Sequence, residues 1–361
     1  MQIRKLGFSD LGLSVIGLGT WAIGGGGYEC GLGAQDDQES IRTIRKAIDD
    51  GINWMDTAPM YGLGHAEEVI GKAIGEIRSQ VHVATKSGIL WDENNSFRFC
   101  LKKESIRSEI EATLRRIDTD YIDLYQIHMA TPEEEIEEGW YCISELIREG
   151  KVRYAGVSNF SLEQIKKVQK IHPVASVQPV YNMFNRDIEQ GITDYCAQND
   201  IGIISYSPLC SGLITDRICR ERIKNLAADD FRPRLPDFQE PLLSIHLKAI
   251  ERLKPIAERS GLTLPQLAIP WVLRQRNLTS AIVGARCVNH IDEIVKAGEL
   301  AMAEEDLLEI EAILADHQQE SREILAPDIP RVISRIWNSF LTALFHWMRI
   351  AHLCRINTDG V

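Results

Sequence analysis

Tyr154-Ala-Gly-Val-Ser158-Asn-Phe-Ser161-Leu-Glu-Gln164-Ile-Lys-Lys-Val-Gln169 is the stretch from which the fold can be read. Tyr154–Ser158 is a short apolar run that predicts a strand. Ser161-Leu-Glu-Gln164 ends in an acid–amide pair suited to a helix N-terminus, and the helix then runs to about Gln169. One strand passes directly into one amphipathic helix. The same unit recurs along the chain, with further strands predicted at Val15–Gly19, Ile52–Asp56, Val81–Thr85, Ile122–His128, Ser176–Gln178, Ile203–Tyr206 and Ala281–Val283. Gln38–Asp50 spaces Ile41, Ile44 and Ala47 about one turn apart, and Ser105–Arg116 does so with Ile106, Ile110 and Leu114.

Eight strand–helix alternations imply parallel strands joined by crossover helices. A closed (β/α)8 barrel, the TIM barrel, absorbs all eight in one domain of the α/β class. A doubly wound sheet would leave residues for a second domain, yet no Pro/Gly/Ser-rich linker divides the chain. The barrel is the expected architecture.

Composition narrows the function. The 361 residues are 44% hydrophobic and 25% charged, the balance of a globular protein, and 40 Lys+Arg against 52 Asp+Glu give a net charge of −12. A chain so acidic repels a phosphate backbone, so nucleic acid is excluded as a general partner. The eight cysteines are scattered without a C-x-x-C, a reduced usage that predicts neither zinc nor disulfides. The start lacks the apolar core of a signal peptide, and no long uncharged apolar stretch follows, so a cytoplasmic chain is expected.

Two segments stand outside the repeating pattern. Leu209–Glu240 is long, irregular and follows the seventh strand, where barrels often build phosphate sites. Residues 331–355 carry apolar side chains at 333, 336, 337, 340, 341, 344, 345, 348 and 351, a helical stripe, with Arg331, Arg335, Arg349 and Arg355 and no acid. The expected division is therefore a barrel over 1–316 and an extension over 317–361 carrying an amphipathic helix. That helix has three readings: packing on the barrel, self-association, or contact with a membrane surface.

Chemistry in a barrel gathers where the strands end. Those ends deliver Thr20-Trp21, Asp56, Lys86, His128, Ser158-Asn159, Gln178, Tyr206 and Gly284-Ala-Arg286. Tyr61 follows Asp56 by five residues and completes a proton-transfer set. A free phenol titrates near pKa ~10. Lys86 would lower that value, Asp56 would keep the ammonium charged, and His128 would donate to or orient a carbonyl oxygen beside the Tyr61 hydroxyl.

Asp56-Thr-Ala-Pro-Met-Tyr61-Gly, Ala84-Thr-Lys86, Gln126-Ile-His128, Gly156-Val-Ser-Asn-Phe160 and Gln178-Pro-Val-Tyr-Asn resemble the aldo-keto reductase signatures, in family order over roughly residues 3–315. Ser205-Tyr-Ser-Pro-Leu-Cys-Ser-Gly-Leu213 and Val283-Gly-Ala-Arg286 extend the likeness, which is nearest to the bacterial general stress and inositol-operon-associated reductases. The resemblance implies a barrel with a short N-terminal β-hairpin that binds NADP(H) and reduces aldehydes or ketones. It implies Tyr61 as general acid with Asp56, Lys86 and His128. Ser158, Asn159 and Gln178 would hold the carboxamide, Tyr206 would stack on the nicotinamide, and Thr20 and Trp21 would approach the same ring. Ser207, Leu209, Ser211, Leu213 and Arg217 would form the pyrophosphate loop. Gly284, Arg286, His290 and Glu293 would lie at the adenosine end, with Arg286 on the 2′-phosphate. Trp21, Tyr61, Trp91, Phe97, His128 and Met129 would surround the substrate. The chain departs from the family pattern at His290, where Gln is frequent, at Ile294, where Asn is, and at Met129, where Trp is.

Plainer readings exist for single residues. Ser158-Asn159 would serve equally to cap the helix that follows. Gly17-x-Gly19-x-x-Ala22 imitates a dinucleotide fingerprint, but Ile23-Gly-Gly-Gly-Gly27 behind it opposes the helix that such a site needs. A different class of function, an NADPH-binding sensor or auxiliary interaction protein, is motivated by the C-terminal helix alone.

Overall fold

The computed structural model describes residues 1–325. The helix expected at 331–355 lies outside the described residues, and its three readings with it.

Two short strands, β1 (Ile3–Lys5) and β2 (Gly12–Ser14), form an antiparallel hairpin ahead of the barrel. The eight barrel strands are β3 (Ile16–Gly19), β4 (Trp54–Asp56), β5 (His82–Ser87), β8 (Ile122–Ile127), β9 (Val152–Ser158), β10 (Ser176–Gln178), β11 (Gly202–Tyr206) and β12 (Leu278–Gly284). They pair in parallel and close in the order β10-β11-β12-β3-β4-β5-β8-β9. A second hairpin, β6 (Ile89–Trp91) with β7 (Phe97–Phe99), leaves the end of β5. All eight expected strands form, with ends shifted by a few residues.

Around them lie α1 (Asp37–Asp49), α2 (His65–Ile74), α3 (Lys103–Ile117), α4 (Ile136–Arg148), α5 (Leu162–Gln169), α6 (Ile192–Gln198), α7 (Arg220–Lys224), α8 (Leu242–Arg259), α9 (Leu264–Leu273), α10 (Val288–Ala297) and α11 (Glu304–Leu325). Local chemistry sets their starts. Ser161 and Gln164 exchange side-chain and backbone bonds in a capping box at α5, and Thr263 with Gln266 does the same at α9. The Asp36 carboxylate accepts from the Glu39 N–H at the start of α1.

The core has two compartments. The larger lies between strands and helices, and the smaller fills the barrel with Trp54, Ala84, Leu124, Ile204 and Ile282, closed from below by Leu6, Leu11 and Leu13 near the first hairpin. Gly17 makes room for this filling: a Cβ there would lie 2.2 Å from the Trp54 indole. The helix demanded by a dinucleotide fingerprint is absent behind it. A single helical turn, Trp21–Gly24, follows β3, and α1 begins only at Asp37.

The expected boundary at 316/317 falls inside α11, which runs unbroken through it. His317 faces α8 across a 2.8 Å contact between its Nε2 and His246 Nδ1, so the start of the extension is packed onto the barrel's helical layer. Among the described residues no helix is long and apolar enough to cross a membrane.

Candidate active site

At the C-terminal ends of the strands a cavity of about 320 Å³ opens. Asp56 ends β4, and Lys86 stands one residue before the end of β5. His128 follows β8 directly, and its backbone N–H bonds Ser87 O at 3.0 Å. Tyr61 lies in the turn between β4 and α2. The four are 3%, 0%, 9% and 8% exposed in that order, so a charge here is largely shielded from water.

Lys86 organises the group. Its Nζ donates to Asp56 Oδ1 at 2.5 Å, to Thr57 O at 2.9 Å and to the Tyr61 hydroxyl oxygen at 3.3 Å. Tyr61 and His128 meet edge to face, ring centres 6.1 Å apart. Burial, and after it the Lys86 charge, hold His128 well below the ordinary imidazole range, so the ring is neutral at neutral pH. Burial also lowers Lys86, against the opposing pull of Asp56. The expectation that Lys86 brings the phenol down is reversed. Burial first and the Asp56 carboxylate second hold Tyr61 well above its ordinary value, so the resting hydroxyl keeps its proton.

A polar row continues from this centre. Gln178 Nε2 donates to Asp56 Oδ2 at 2.6 Å, and Ser158 Oγ donates to Gln178 O at 2.9 Å. Asn159 sits at φ +58°, a left-handed conformation that Asn tolerates better than most residues. Its Nδ2 reaches His128 O at 3.0 Å, and its Oδ1 accepts the Tyr206 hydroxyl at 2.8 Å. Tyr206 is thereby fixed on the cavity wall. The capping of α5 falls to Ser161, which removes the plainer reading of Ser158-Asn159.

Beyond β11 the chain turns tightly, with Ser207, Cys210 and Ser211 all at positive φ. Thr20, Trp21, Asp56, Tyr61, His128, Met129, Ser158, Asn159, Gln178, Tyr206, Ser207, Leu209, Ser211, Gly284, Arg286, His290 and Glu293 all line one cavity. Five expected residues do not: Lys86 is wholly buried behind Asp56 and Tyr61, and the other four lie elsewhere. Leu213 is buried beneath the loop, and Arg217 is exposed away from the wall. Trp91 and Phe97 stand on the β6–β7 hairpin, where Phe97 meets Tyr28 edge to face, ring centres 6.5 Å apart.

Arg286 is engaged differently from expectation. Its Nε and two terminal nitrogens donate to Gln35 Oε1, Leu32 O and Ala34 O at 3.0, 2.7 and 2.6 Å. These bonds use three of a guanidinium's five N–H groups and fasten the loop before α1 to the end of β12. Glu293 accepts from Thr263 Oγ1 at 2.6 Å, and His290 Nδ1 accepts from the Arg286 N–H at 3.3 Å.

Phe231 and Arg232 are wall residues that sequence reasoning passed over. Phe231 stacks on Trp21 at 4.7 Å, Trp21 stacks on Tyr61 at 5.6 Å, and the Phe231 N–H bonds Gly31 O at 3.0 Å. The 209–240 segment thus meets the glycine-rich loop over the site. An aromatic inside a long loop was the available signal.

Residues 15–315 match the family model for the aldo/keto reductase family. Aldo-keto reductase YhdN of Bacillus subtilis is 39% identical over 317 residues, 87% of this chain and 94% of the relative. An NADH-specific methylglyoxal reductase of Escherichia coli is 34% identical, over 85% of this chain and 96% of its own length. Among solved structures, a glycerol dehydrogenase from Gluconobacter oxydans superposes with TM-score 0.77 at 36% identity, covering 87% of this chain and 95% of that one. A match from the first barrel strand to α11, on a closed eight-stranded barrel, places this chain in the aldo/keto reductase family of oxidoreductases, which use a nicotinamide cofactor on small carbonyl substrates.

Proposed function

We propose that the protein reduces an aldehyde or ketone to the alcohol with NADP(H), Tyr61 acting as the general acid. The carrying observation is Lys86 Nζ, which lies 2.5 Å from Asp56 Oδ1 and 3.3 Å from the Tyr61 oxygen beside one cavity.

The donor set fits a nicotinamide cofactor. Ser158, Asn159 and Gln178 offer hydroxyl and amide groups at the depth of Asp56, suited to a carboxamide, and Tyr206 presents a ring held by Asn159. When bound, the reduced cofactor supplies hydride to a carbonyl carbon. The protein's own part is the proton. Burial keeps the Tyr61 hydroxyl protonated, as an acid must be at rest. As its proton moves to the carbonyl oxygen, the Lys86 ammonium stabilises the phenolate that develops, and Asp56 keeps that ammonium charged. Neutral His128 can donate one ring N–H to the same oxygen and so hold the carbonyl in place. Trp21, Met60 and Met129 give the substrate end an apolar wall.

The preference for NADP(H) over NAD(H) rests on Arg286 at the adenosine end. The Escherichia coli relative is described as NADH-specific, so the two cofactors are to be compared directly. Consumption of NADPH and of NADH with nitrobenzaldehyde is followed for wild type and Tyr61→Phe. The variant is expected to lose at least about 10²-fold in turnover while its cofactor affinity stays within a few-fold. Joint loss of turnover and binding would remove Tyr61 from the acid role.

A further inference from the structure

Gln126 lies on β8 two residues before His128, wholly buried and off the cavity wall. In the barrel register it stands beside Lys86 on one side and Gly156 on the other. A Cβ on Gly156 would come within 3.1 Å of Gln126 Cγ, so the bare glycine leaves room for the glutamine side chain.

Asp56 divides its oxygens between two kinds of donor. Oδ1 takes the Lys86 ammonium, whereas Oδ2 faces two primary amides. Gln178 Nε2 is 2.6 Å from Oδ2, and Gln126 Nε2 is 3.4 Å from it. Gln178 Nε2 also lies 3.4 Å from Gln126 Oε1, so the two amides and the carboxylate form one buried cluster. Of the two amides, Gln178 reaches the cavity and Gln126 does not.

We propose that Gln126 is a positioning residue for the reaction. It is the second donor to Asp56 Oδ2, taking over that oxygen when Gln178 turns toward the carboxamide of a bound nicotinamide cofactor. The inference rests on the cofactor reading given under Proposed function. A closing movement of roughly half an ångström brings the Gln126 amide into ordinary hydrogen-bond range. Without it, loading the cofactor would strand half of a buried carboxylate, and binding would bear that cost.

The test uses the full chain, with NADPH as the probe. Its dissociation constant is measured by quenching of tryptophan fluorescence from pH 5.5 to 8.5, and the melting temperature by calorimetry on cofactor-free protein. Gln126→Leu is expected to weaken NADPH binding on the order of tenfold at every pH, with the cofactor-free melting temperature nearly unchanged because Gln178 still serves Asp56. Gln126→Glu can donate only while protonated, so its affinity should approach wild type at pH 5.5 and fall steadily as the pH rises.

Wild-type affinity in both variants at every pH would overturn the proposal, and so would a lowered melting temperature with unchanged affinity. If Gln126→Leu does not fold, Gln126→Met, a flexible side chain of similar length without a donor, decides in its place, wild-type NADPH affinity overturning the proposal. A wild-type protein that neither NADPH nor NADH quenches would sink the cofactor reading itself, an outcome distinct from the other two.

Discussion

His128 carries the cleanest consequence of burial on a single residue. The desolvated ring resists a proton, and the nearby Lys86 charge adds to that resistance. Turnover should therefore show no limb near the ordinary imidazole value, because the folded ring is already neutral there. A pH–rate profile between pH 5.5 and 8 is expected to be flat in this respect, and a limb near 6.5 would contradict it. The ring's effect on stability has the same origin. Its pKa in the folded chain lies below the unfolded one, so the unfolded chain takes up a proton that the folded chain refuses, and this contribution falls as pH drops below about 6.5. Tyr61 resists ionisation for the same reason, but its Lys86 neighbour is close enough to act once the proton begins to leave.

The β6–β7 hairpin hangs from one glycine, and one carboxylate holds that glycine. Gly88 sits at φ +97°, and its N–H donates to Glu109 Oε2 at 2.9 Å, while Ser105 Oγ donates to Oε1 at 3.1 Å. Burial pushes Glu109 up to about 7, against the pull of those donors. An acid raised above its unfolded value makes the fold lose stability as pH rises, here from about 4.5 through 7. Glu109→Gln should match wild type near pH 5 and exceed it by about 1–3 kcal/mol at pH 8, read from urea unfolding at both pH values. A gap that does not change with pH would refute this. The hairpin also marks how far the sequence could be read. Apolar runs placed every barrel strand, and the strand ends brought Asp56, Lys86, His128, Gln178 and Tyr206 together. Loop residues escaped because distant contacts place them. Phe231 is set by Trp21 and Gly31, some 200 residues away, and Phe97 by Tyr28 rather than by the cavity. The sequence pattern points Arg286 at an adenosine 2′-phosphate, whereas its tie to residues 32–35 depends on a loop with no regular pattern.

Across the whole molecule the two ends of the barrel do different work, chemistry at one and stability at the other. Asp123 lies near the N-terminal end of β8, far along the strand from His128, and ties three neighbouring strands together. Its carboxylate accepts from Arg78 at 2.9 Å, Arg153 at 2.7 Å and the Val83 N–H at 3.0 Å, with His82 at 3.5 Å. Burial alone would raise its pKa, but His82, Arg78, Val83 and Arg153 outweigh it and bring the group down to about 2. Depressed from an unfolded value near 3.8, the carboxylate contributes stability that is complete above about pH 4 and lost as pH falls through about 2. A shift of that size is worth roughly 2 kcal/mol. Asp123→Asn removes the charge and leaves Arg78, itself largely buried, without it, so the variant should lose about 3 kcal/mol at pH 7. The gap should narrow as wild type approaches pH 2, while turnover per folded molecule at pH 7 stays at the wild-type level because the cavity lies at the other end. Acid unfolding followed by circular dichroism, with turnover measured on the same preparations, tests both halves. A gap that holds constant down to pH 2 would show that the carboxylate acts by shape rather than by charge.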